Sequence, residues 1–179
     1  MANFKEAFEV LEKWEGGYSN HILDSGGETY KGITRKNYPN MSFWSIIDEL
    51  KKEKRTKQDI NIILGNNTNI QEEIMNFYKN NYWDIINCDE IENQDFATNL
   101  LLLSVNAGIK RAIKVGQEAC KITIDGIYGV KTREAFKIAD YIIVELFNLI
   151  EIKFYNSLVE KRPENRVFLN GWINRSNAI

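Results

Sequence analysis

The stretch from residue 95 to residue 106 is apolar on nearly all sides when it is drawn as a helix. A helix without a polar face must be covered by other elements, so we place it in the core. Further helices are predicted over 3–15, 41–54, 69–86, 108–120, 130–138 and 139–160. Strand signals are confined to 18–34, where we predict a hairpin that turns at Ser25-Gly26-Gly27. The sequence therefore predicts a mainly α (α+β) fold with one small hairpin near the N-terminus.

Two helix starts are predicted from capping residues. Ser42 is expected to cap the helix over 41–54, and Thr34 is expected to cap a short helix that begins near Arg35. Pro39 keeps the second helix short, because the residue before a proline is disfavoured in helical conformation.

The length and the net charge of the chain limit the number of domains and the kinds of partner to expect. The 179 residues suit one sizeable domain, or a compact unit of two lobes. A formal net charge of −2 predicts no bulk affinity for nucleic acid or for an anionic membrane. The apolar run Leu100–Val105 is too short to span a bilayer, and the run 141–155 is interrupted by charges. Cys88 and Cys120 fit no metal-ligand spacing, so we expect them to be reduced and buried, and we expect no metal and no cofactor.

The first predicted helix ends in a carboxylate that lies on its apolar side. Glu15 follows Phe4 by eleven positions, which is about 20° past three full turns, so it points with Phe4 and Phe8. An apolar environment and the negative end of a helix both favour the protonated form, so we expect a pKa above about 4.3. A neutral carboxyl is suited to general acid catalysis. The alternative is that Glu15 turns out to solvent, with Gly16 or Gly17 as the C-cap.

The residues after Glu15 repeat a known pattern. The stretch EGGYSNHILDSGGETYKGIT resembles the N-terminal signature of glycoside hydrolase family 108, in which E-G-G-Y precedes D-x-G-G-x-T-x-x-G-I-T. The resemblance extends along the chain through the segments FYKNNYWDII, LLLSVNAGIKRAIKVGQEA and GWINR. The segment DGIYGVKT resembles the D-G-x-x-G-x-x-T turn of small helical peptidoglycan-binding modules. Residues 21–23 and Tyr30 depart from the family pattern, which places fine substrate contacts in question.

This resemblance implies a lysozyme-like fold and muramidase activity. The family cleaves the β-1,4 bond between N-acetylmuramic acid and N-acetylglucosamine, and its E-G-G-Y glutamate, here Glu15, is the catalytic acid. Asp24 is our first candidate for the second catalytic group, and Thr29 is placed with it to hold or activate water. Glu28 is expected to be too exposed. Without the distance between the two carboxyl groups, retaining and inverting mechanisms both stay open.

Several residues have two interpretations. Tyr18 and Tyr30 either stack on sugar rings or pack in the core, and Trp83 is expected in the core. Asn106 either hydrogen-bonds the substrate or caps its helix. His21 is expected to be a solvated loop residue.

Domain organisation and location are also predicted. We expect an N-terminal catalytic lobe over 1–94 and a helical lobe over 95–179 that resembles a peptidoglycan-binding module, within one compact monomer. The turn DGIYGVKT is expected to be structural, with Thr132 capping the next helix. The N-terminus carries no classical signal peptide, so we expect synthesis in the cytoplasm and action at the cell wall in the periplasm.

The partner is expected to be the glycan strand of peptidoglycan. The route to the wall is left open between a holin, a secretion channel and lysis. A phage endolysin, a prophage remnant and a secretion aid would have the same sequence features. The alternative function is a non-catalytic peptidoglycan-binding or secretion accessory protein that keeps the fold and lacks the activity.

Overall fold

The computed structural model describes residues 1–20 and 27–177. The α-helices in these residues are α1 (Phe4–Glu12), α2 (Phe43–Lys52), α3 (Lys57–Gly65), α4 (Thr68–Tyr78), α5 (Gln94–Ala107), α6 (Ile109–Ala119), α7 (Val130–Lys137), α8 (Tyr141–Lys161) and α9 (Arg166–Ser176). The strands β1 (Thr29–Tyr30) and β2 (Ile33–Thr34) form an antiparallel hairpin. The predicted mainly α fold with a small hairpin is confirmed. None of the helices in the described residues has the length and apolar character needed to cross a bilayer.

The chain forms two compact units. The first unit contains residues 1–11 and 79–179, and the second contains residues 12–78. Our predicted boundary lay after residue 94, whereas the chain passes from one unit to the other after residues 11 and 78. The assignment of a catalytic lobe to 1–94 and a binding lobe to 95–179 stays a prediction.

Helix α5 is the core of the first unit, as its composition predicts. Every residue from Phe96 to Ser104 is buried. Phe96 makes edge-to-face contacts with Phe136 of α7 and with Phe147 of α8, at centroid distances of 5.2 and 5.7 Å. Helices α6 and α8 pack along α5. A helix that is apolar all round is stable here because other helices cover it on several sides.

The N-terminal part of α1 also belongs to this unit. Phe4, Phe8 and Leu11 are buried on one face, which is the face that the helical period predicts. The Phe4 ring contacts the edge of Trp83, with 5.4 Å between the ring centroids. Trp83 itself is fully buried, and its indole Nε1–H donates to Asp89 at 2.7 Å. The expectation of a core position for Trp83 is therefore correct.

The hairpin of the second unit turns at Lys31-Gly32. Thr29 pairs with Thr34 and Tyr30 with Ile33, so the two residues between the strands form the turn. Lys31 and Gly32 have φ values of +43° and +73°, and positive φ at both central residues is the requirement of a type I′ turn. The predicted turn at Ser25-Gly26-Gly27 is not the turn of this hairpin, and Ser25 and Gly26 lie outside the described residues.

Three local predictions for residues 34–86 are wrong. The residues after Thr34 form a turn instead of a short helix, held by a Tyr38 N–H donated to the Thr34 carbonyl oxygen. Ser42 precedes α2 without a capping hydrogen bond, because its hydroxyl donates to Glu73 Oε2 at 2.5 Å. The helix predicted over 69–86 ends at Tyr78 and continues as a π-helical turn and a 3₁₀ turn.

Hydrogen bonds from α6 hold the DGIYGVKT turn, and the capping of the next helix differs from our expectation. Gln117 is buried in α6, and its side-chain amide donates to Asp125 Oδ1 at 2.7 Å and to Thr132 Oγ1 at 3.0 Å. Thr132 lies inside α7 and donates to the Ile127 carbonyl oxygen, so it does not cap the helix. The side chain of Gln117 in α6 therefore stabilises the turn by hydrogen bonds to both of its ends.

The two cysteines are both free in the first unit. Cys88 is buried, and burial raises the pKa of its thiol well above the usual range. Cys120 is only partly buried, and burial raises its pKa to about 11. Both thiols therefore stay protonated at neutral pH, which disfavours reaction at either sulfur.

Candidate active site

Glu15 lies beyond the end of α1. The helix ends at Glu12, and residues 13–15 form a turn and a bend. The projection of Glu15 onto the apolar face of a helix, and the effect of the helix dipole, therefore do not apply to this side chain. Glu15 is nevertheless partly buried, for a different reason.

The hairpin turn provides the surroundings of Glu15. A Cβ atom built on Gly32 would overlap the Glu15 carboxylate at Oε2 and would lie 2.6 Å from the Tyr78 hydroxyl oxygen. Real Cβ atoms do not approach other atoms so closely, so the carboxylate and the phenol occupy the space that any side chain at position 32 would need. Glycine is thus required at position 32 by both its positive φ and its neighbours. The turn of the hairpin and the Glu15 carboxylate form one packed arrangement.

Two side chains hold the turn in place. The Tyr78 hydroxyl donates to the Lys31 carbonyl oxygen at 2.7 Å. The Lys31 ammonium donates to Glu12 Oε1 and to Gln71 Oε1, both at 2.5 Å. Lys31 adopts a left-handed conformation that costs a non-glycine residue about 1–2 kcal/mol, and these hydrogen bonds offset that cost. The backbone at Gly32 is therefore fixed beside Glu15.

The second glycine of E-G-G-Y has a packing role. A Cβ on Gly17 would overlap the side chain of Asn61 in α3, whereas a Cβ on Gly16 would meet no atom of residues 1–20 and 27–177 within 4 Å. Asn61 Oδ1 accepts the backbone N–H of Tyr18 at 2.6 Å. Among the described glycines, positive φ does not occur at positions 16 or 17, so neither is the left-handed C-cap that we considered. Gly17 lets the chain after Glu15 approach α3 closely.

Glu28 lies in a polar cluster and is not exposed, contrary to expectation. Its side chain is 11% exposed, and its carboxylate accepts hydrogen bonds from Tyr18 at 2.6 Å, Arg35 at 2.8 Å and Lys51 at 3.0 Å. Arg35 also forms a bidentate pair with Asp48, at 2.7 and 2.6 Å. This cluster joins the hairpin to α2.

The cluster keeps Glu28 ionised. Burial opposes its ionisation, but the hydrogen bonds from Tyr18, Arg35 and Lys51 outweigh burial and lower the pKa of Glu28. The reverse holds for Tyr18, whose pKa is raised to about 12 by burial first and then by Glu28. A carboxylate held in this way is suited to fixing the hairpin and is a poor proton donor.

The remaining predicted residues of this unit lie in and next to the hairpin. Thr29 opens β1, bridges Ser19 and donates its hydroxyl to the Gly27 carbonyl oxygen at 3.1 Å. Tyr30 is 1% exposed and packs edge-on against Phe43, and Tyr18 is 6% exposed. Of the two interpretations of these tyrosines, burial favours core packing over sugar stacking. Asp24 lies outside the described residues, as does His21.

Asn106 belongs to the other compact unit. It lies in the last turn of α5, and its Nδ2–H donates to the Tyr155 hydroxyl oxygen at 2.7 Å. The expected alternative of helix capping is not what its side chain does. No group of three or more His, Cys, Asp or Glu side chains in residues 1–20 and 27–177 is placed to hold a metal ion.

Two residues of the site were not selected from the sequence. Tyr78 belongs to the FYKNNYWDII segment and so carried a signal, but a tyrosine at helical spacing gives no sign that its hydroxyl binds a turn. Lys31 gave no signal, because a lysine in a Gly-rich segment is normally solvated.

Comparison with known proteins places this arrangement in a family. The family model described as glycosyl hydrolase 108 matches residues 8–108, and the model described as a predicted peptidoglycan domain matches residues 109–177. No curated protein matches the chain. A solved structure, that of SagA from Brucella abortus, is similar over 98% of this chain and 94% of its own, with a TM-score of 0.59 and 23% identity, which shows a common fold. Since the first match covers more than half of the residues and contains Glu15 and the hairpin, the chain belongs to the glycosyl hydrolase 108 family and has its lysozyme-like fold.

Proposed function

We propose that the protein is a peptidoglycan N-acetylmuramidase and that Glu15 is its general acid. The main support for this proposal is that the Glu15 carboxylate packs against the hairpin turn at Gly32, within the segment that the family model matches. Glu15 protonates the glycosidic oxygen as the β-1,4 bond after N-acetylmuramic acid breaks. The match of residues 109–177 to a peptidoglycan domain supports a glycan substrate from the cell wall.

The other predicted residues take supporting roles in this proposal. Asp24 is the candidate for the second carboxylate, and Thr29 is placed to hold water near the reacting sugar. Glu28 is not offered as a catalytic group, because three donors already bind its carboxylate. Tyr18, Tyr30 and Asn106 stay as predicted substrate-binding residues, although the first two are buried.

The test replaces Glu15 by glutamine and measures the release of muropeptides from purified peptidoglycan by mass spectrometry. Loss of a general acid lowers turnover by about 10²–10⁴-fold, so E15Q should fall by at least this factor. The matched control is Glu9→Gln, which changes an exposed glutamate of α1 in the same way and should keep the full rate.

The sugar at the new reducing end of the products distinguishes a muramidase from the alternative functions. New reducing ends on N-acetylmuramic acid support a muramidase, whereas reducing ends on N-acetylglucosamine contradict the proposed bond. An E15Q variant that cleaves at the normal rate removes Glu15 from the mechanism. Binding to peptidoglycan without any cleavage by the unchanged protein favours the non-catalytic wall-binding alternative.

A further inference from the structure

A small cleft opens between the end of α5 and the helices α8 and α9 of the first unit. Its volume is about 260 Å³, and its lining residues are Asn106, Ala107, Phe154, Tyr155, Leu158 and Trp172. Pockets for drug-sized ligands occupy roughly 300–1,000 Å³, so this cleft suits one substituent of a larger ligand. We call it the aromatic cleft. Its lining comes from both matched families, because Asn106 and Ala107 fall in the first match and the other four in the second.

Aromatic rings form one wall of the aromatic cleft. Trp172 stacks on Tyr155 with a centroid distance of 5.1 Å and an interplanar angle of 24°. Phe168 also stacks on Trp172, with 5.9 Å between the ring centroids, and it is 56% exposed. Tyr155 is buried, Trp172 is partly exposed and Phe168 is exposed, so the outer part of this stack can contact C–H groups of a ligand.

A hydrogen-bond chain orients the polar group of the cleft. The Tyr155 hydroxyl donates its single proton to Glu151 Oε1 at 2.9 Å and accepts the Asn106 Nδ2–H at 2.7 Å. The amide nitrogen of Asn106 therefore points to Tyr155, which directs Oδ1 away from it. In the described part of the chain, this oxygen accepts no hydrogen bond from the protein. Asn106 thus offers one fixed acceptor next to apolar walls.

The chemistry of the lining selects the ligand. None of the six lining residues is charged, which disfavours a carboxylate or an ammonium group. A free amide acceptor beside aromatic and aliphatic carbon matches a neutral group that combines an N–H with a methyl. The acetamido group of an amino sugar has both, and both sugars of the proposed substrate carry it.

We propose that the aromatic cleft binds the acetamido group of an N-acetylated sugar, with Asn106 Oδ1 accepting the amide N–H and Trp172 and Leu158 contacting the methyl. The identity of the sugar rests on the proposed function. Glu151 is a positioning residue, since it does not line the cleft and acts on Asn106 through the Tyr155 hydroxyl.

The test titrates the full-length protein with N-acetylglucosamine, N-acetylmuramic acid and glucose, and follows the Trp172 indole N–H by ¹H–¹⁵N NMR at pH 8. Both N-acetylated sugars should shift this resonance saturably, and glucose, which lacks the acetamido group, should not. Asn106→Ala should weaken binding about fivefold, the usual net contribution of one hydrogen bond. The matched control, Asn156→Ala, changes an exposed asparagine of α8 outside the cleft and should leave binding unchanged.

A second variant covers the case in which Asn106→Ala unfolds the protein. Leu158→Trp fills the cleft and leaves the hydrogen-bond chain intact, so it should abolish the response of Trp172. An equal response to glucose, a resonance that N-acetylated sugars do not move, or equal losses in both asparagine variants would each overturn the proposal. Because these probes contain no glycosidic bond, the result is independent of whether the protein cleaves peptidoglycan.

Discussion

At the scale of single residues, Gly32 determines the geometry of the candidate site more directly than any other described position. Its missing side chain leaves the space that the Glu15 carboxylate and the Tyr78 hydroxyl occupy. The Lys31 carbonyl, one bond away, is held by the same hydroxyl. The Tyr78 hydroxyl therefore shares the space beside Gly32 with the Glu15 carboxylate and also binds the turn.

Gly32→Ala should abolish cleavage of peptidoglycan and destabilise the protein. The added methyl meets the Glu15 carboxylate and must also adopt a left-handed conformation, which costs about 1–2 kcal/mol. Gly27→Ala is the matched control, because Gly27 has a similar φ of +69° but an added methyl would meet no atom of the described residues within 4 Å. Urea denaturation and muropeptide release measure the two effects. Equal loss of activity in both variants would show that strain, and not the contact with Glu15, is responsible.

Sequence reasoning succeeds for the family, because a fixed pattern surrounds Glu15 and Thr29 and the match over 8–108 confirms the resemblance. The catalytic roles of these two residues stay predictions. Sequence reasoning fails for Glu28. The exposure of its side chain depends on hydrogen bonds from Tyr18, Arg35 and Lys51, which are not adjacent to Glu28 in the sequence. The end of α1 at Glu12 was also missed, because the apolar period continues past the point where the backbone leaves the helix.

At the scale of elements, the strongest sequence signals gave the most accurate predictions. Helix α5 is found within a residue or two, since nearly every side chain is apolar and the signal does not depend on register. Helices α3 and α9 were not predicted. Their burial patterns are weak, with two buried residues in α3 and one in α9, so they carry little amphipathic period. The hairpin lies within the predicted range 18–34, but it turns at Lys31-Gly32 and not at Ser25-Gly26-Gly27.

The free energy of unfolding is expected to depend on pH through Glu151, which is buried where α8 packs against α9. Burial raises the pKa of Glu151 to about 7, although Tyr155, Ser176 and Arg175 act to lower it. Since the folded protein retains this proton where the unfolded chain releases it, stability falls as pH rises from about 4.5 to about 7. Glu151→Gln should remove this part of the dependence, which amounts to about 3 kcal/mol at 1.36 kcal/mol per pKa unit. Urea denaturation from pH 4.5 to 8 provides the measurement.

The control for this prediction is Glu145→Gln, an exposed glutamate of the same helix. It should retain the decline in stability with pH. An unchanged decline in Glu151→Gln would assign the effect to other groups.

At the scale of the whole molecule, the two compact units are interleaved in sequence. Residues 1–11 join residues 79–179, and the continuous stretch 12–78 forms the other unit. The order of motifs along the chain could not predict this, because it depends on the contact of Phe4 with Trp83 across a long separation. The family matches divide the chain at residue 108 and thus follow sequence order.

Phe4→Ala should destabilise the first unit by about 3–5 kcal/mol, the cost of removing a buried phenylalanine. The contact with Trp83 provides a local probe, so its indole N–H resonance should shift in the variant. Val10→Ala on α1, at a partly exposed position, is the control and should have a much smaller effect. A loss below about 1 kcal/mol for Phe4→Ala would mean that α1 contributes little to this unit.

Because the first unit is discontinuous in sequence, α1 is synthesised well before the residues it packs against. The apolar side of α1 leaves the exit tunnel before Trp83 has been translated, and at roughly 5–20 residues per second the delay lasts several seconds. During that interval Phe4 lacks its native contact with Trp83, and a chaperone that recognises short apolar segments can bind the nascent chain there.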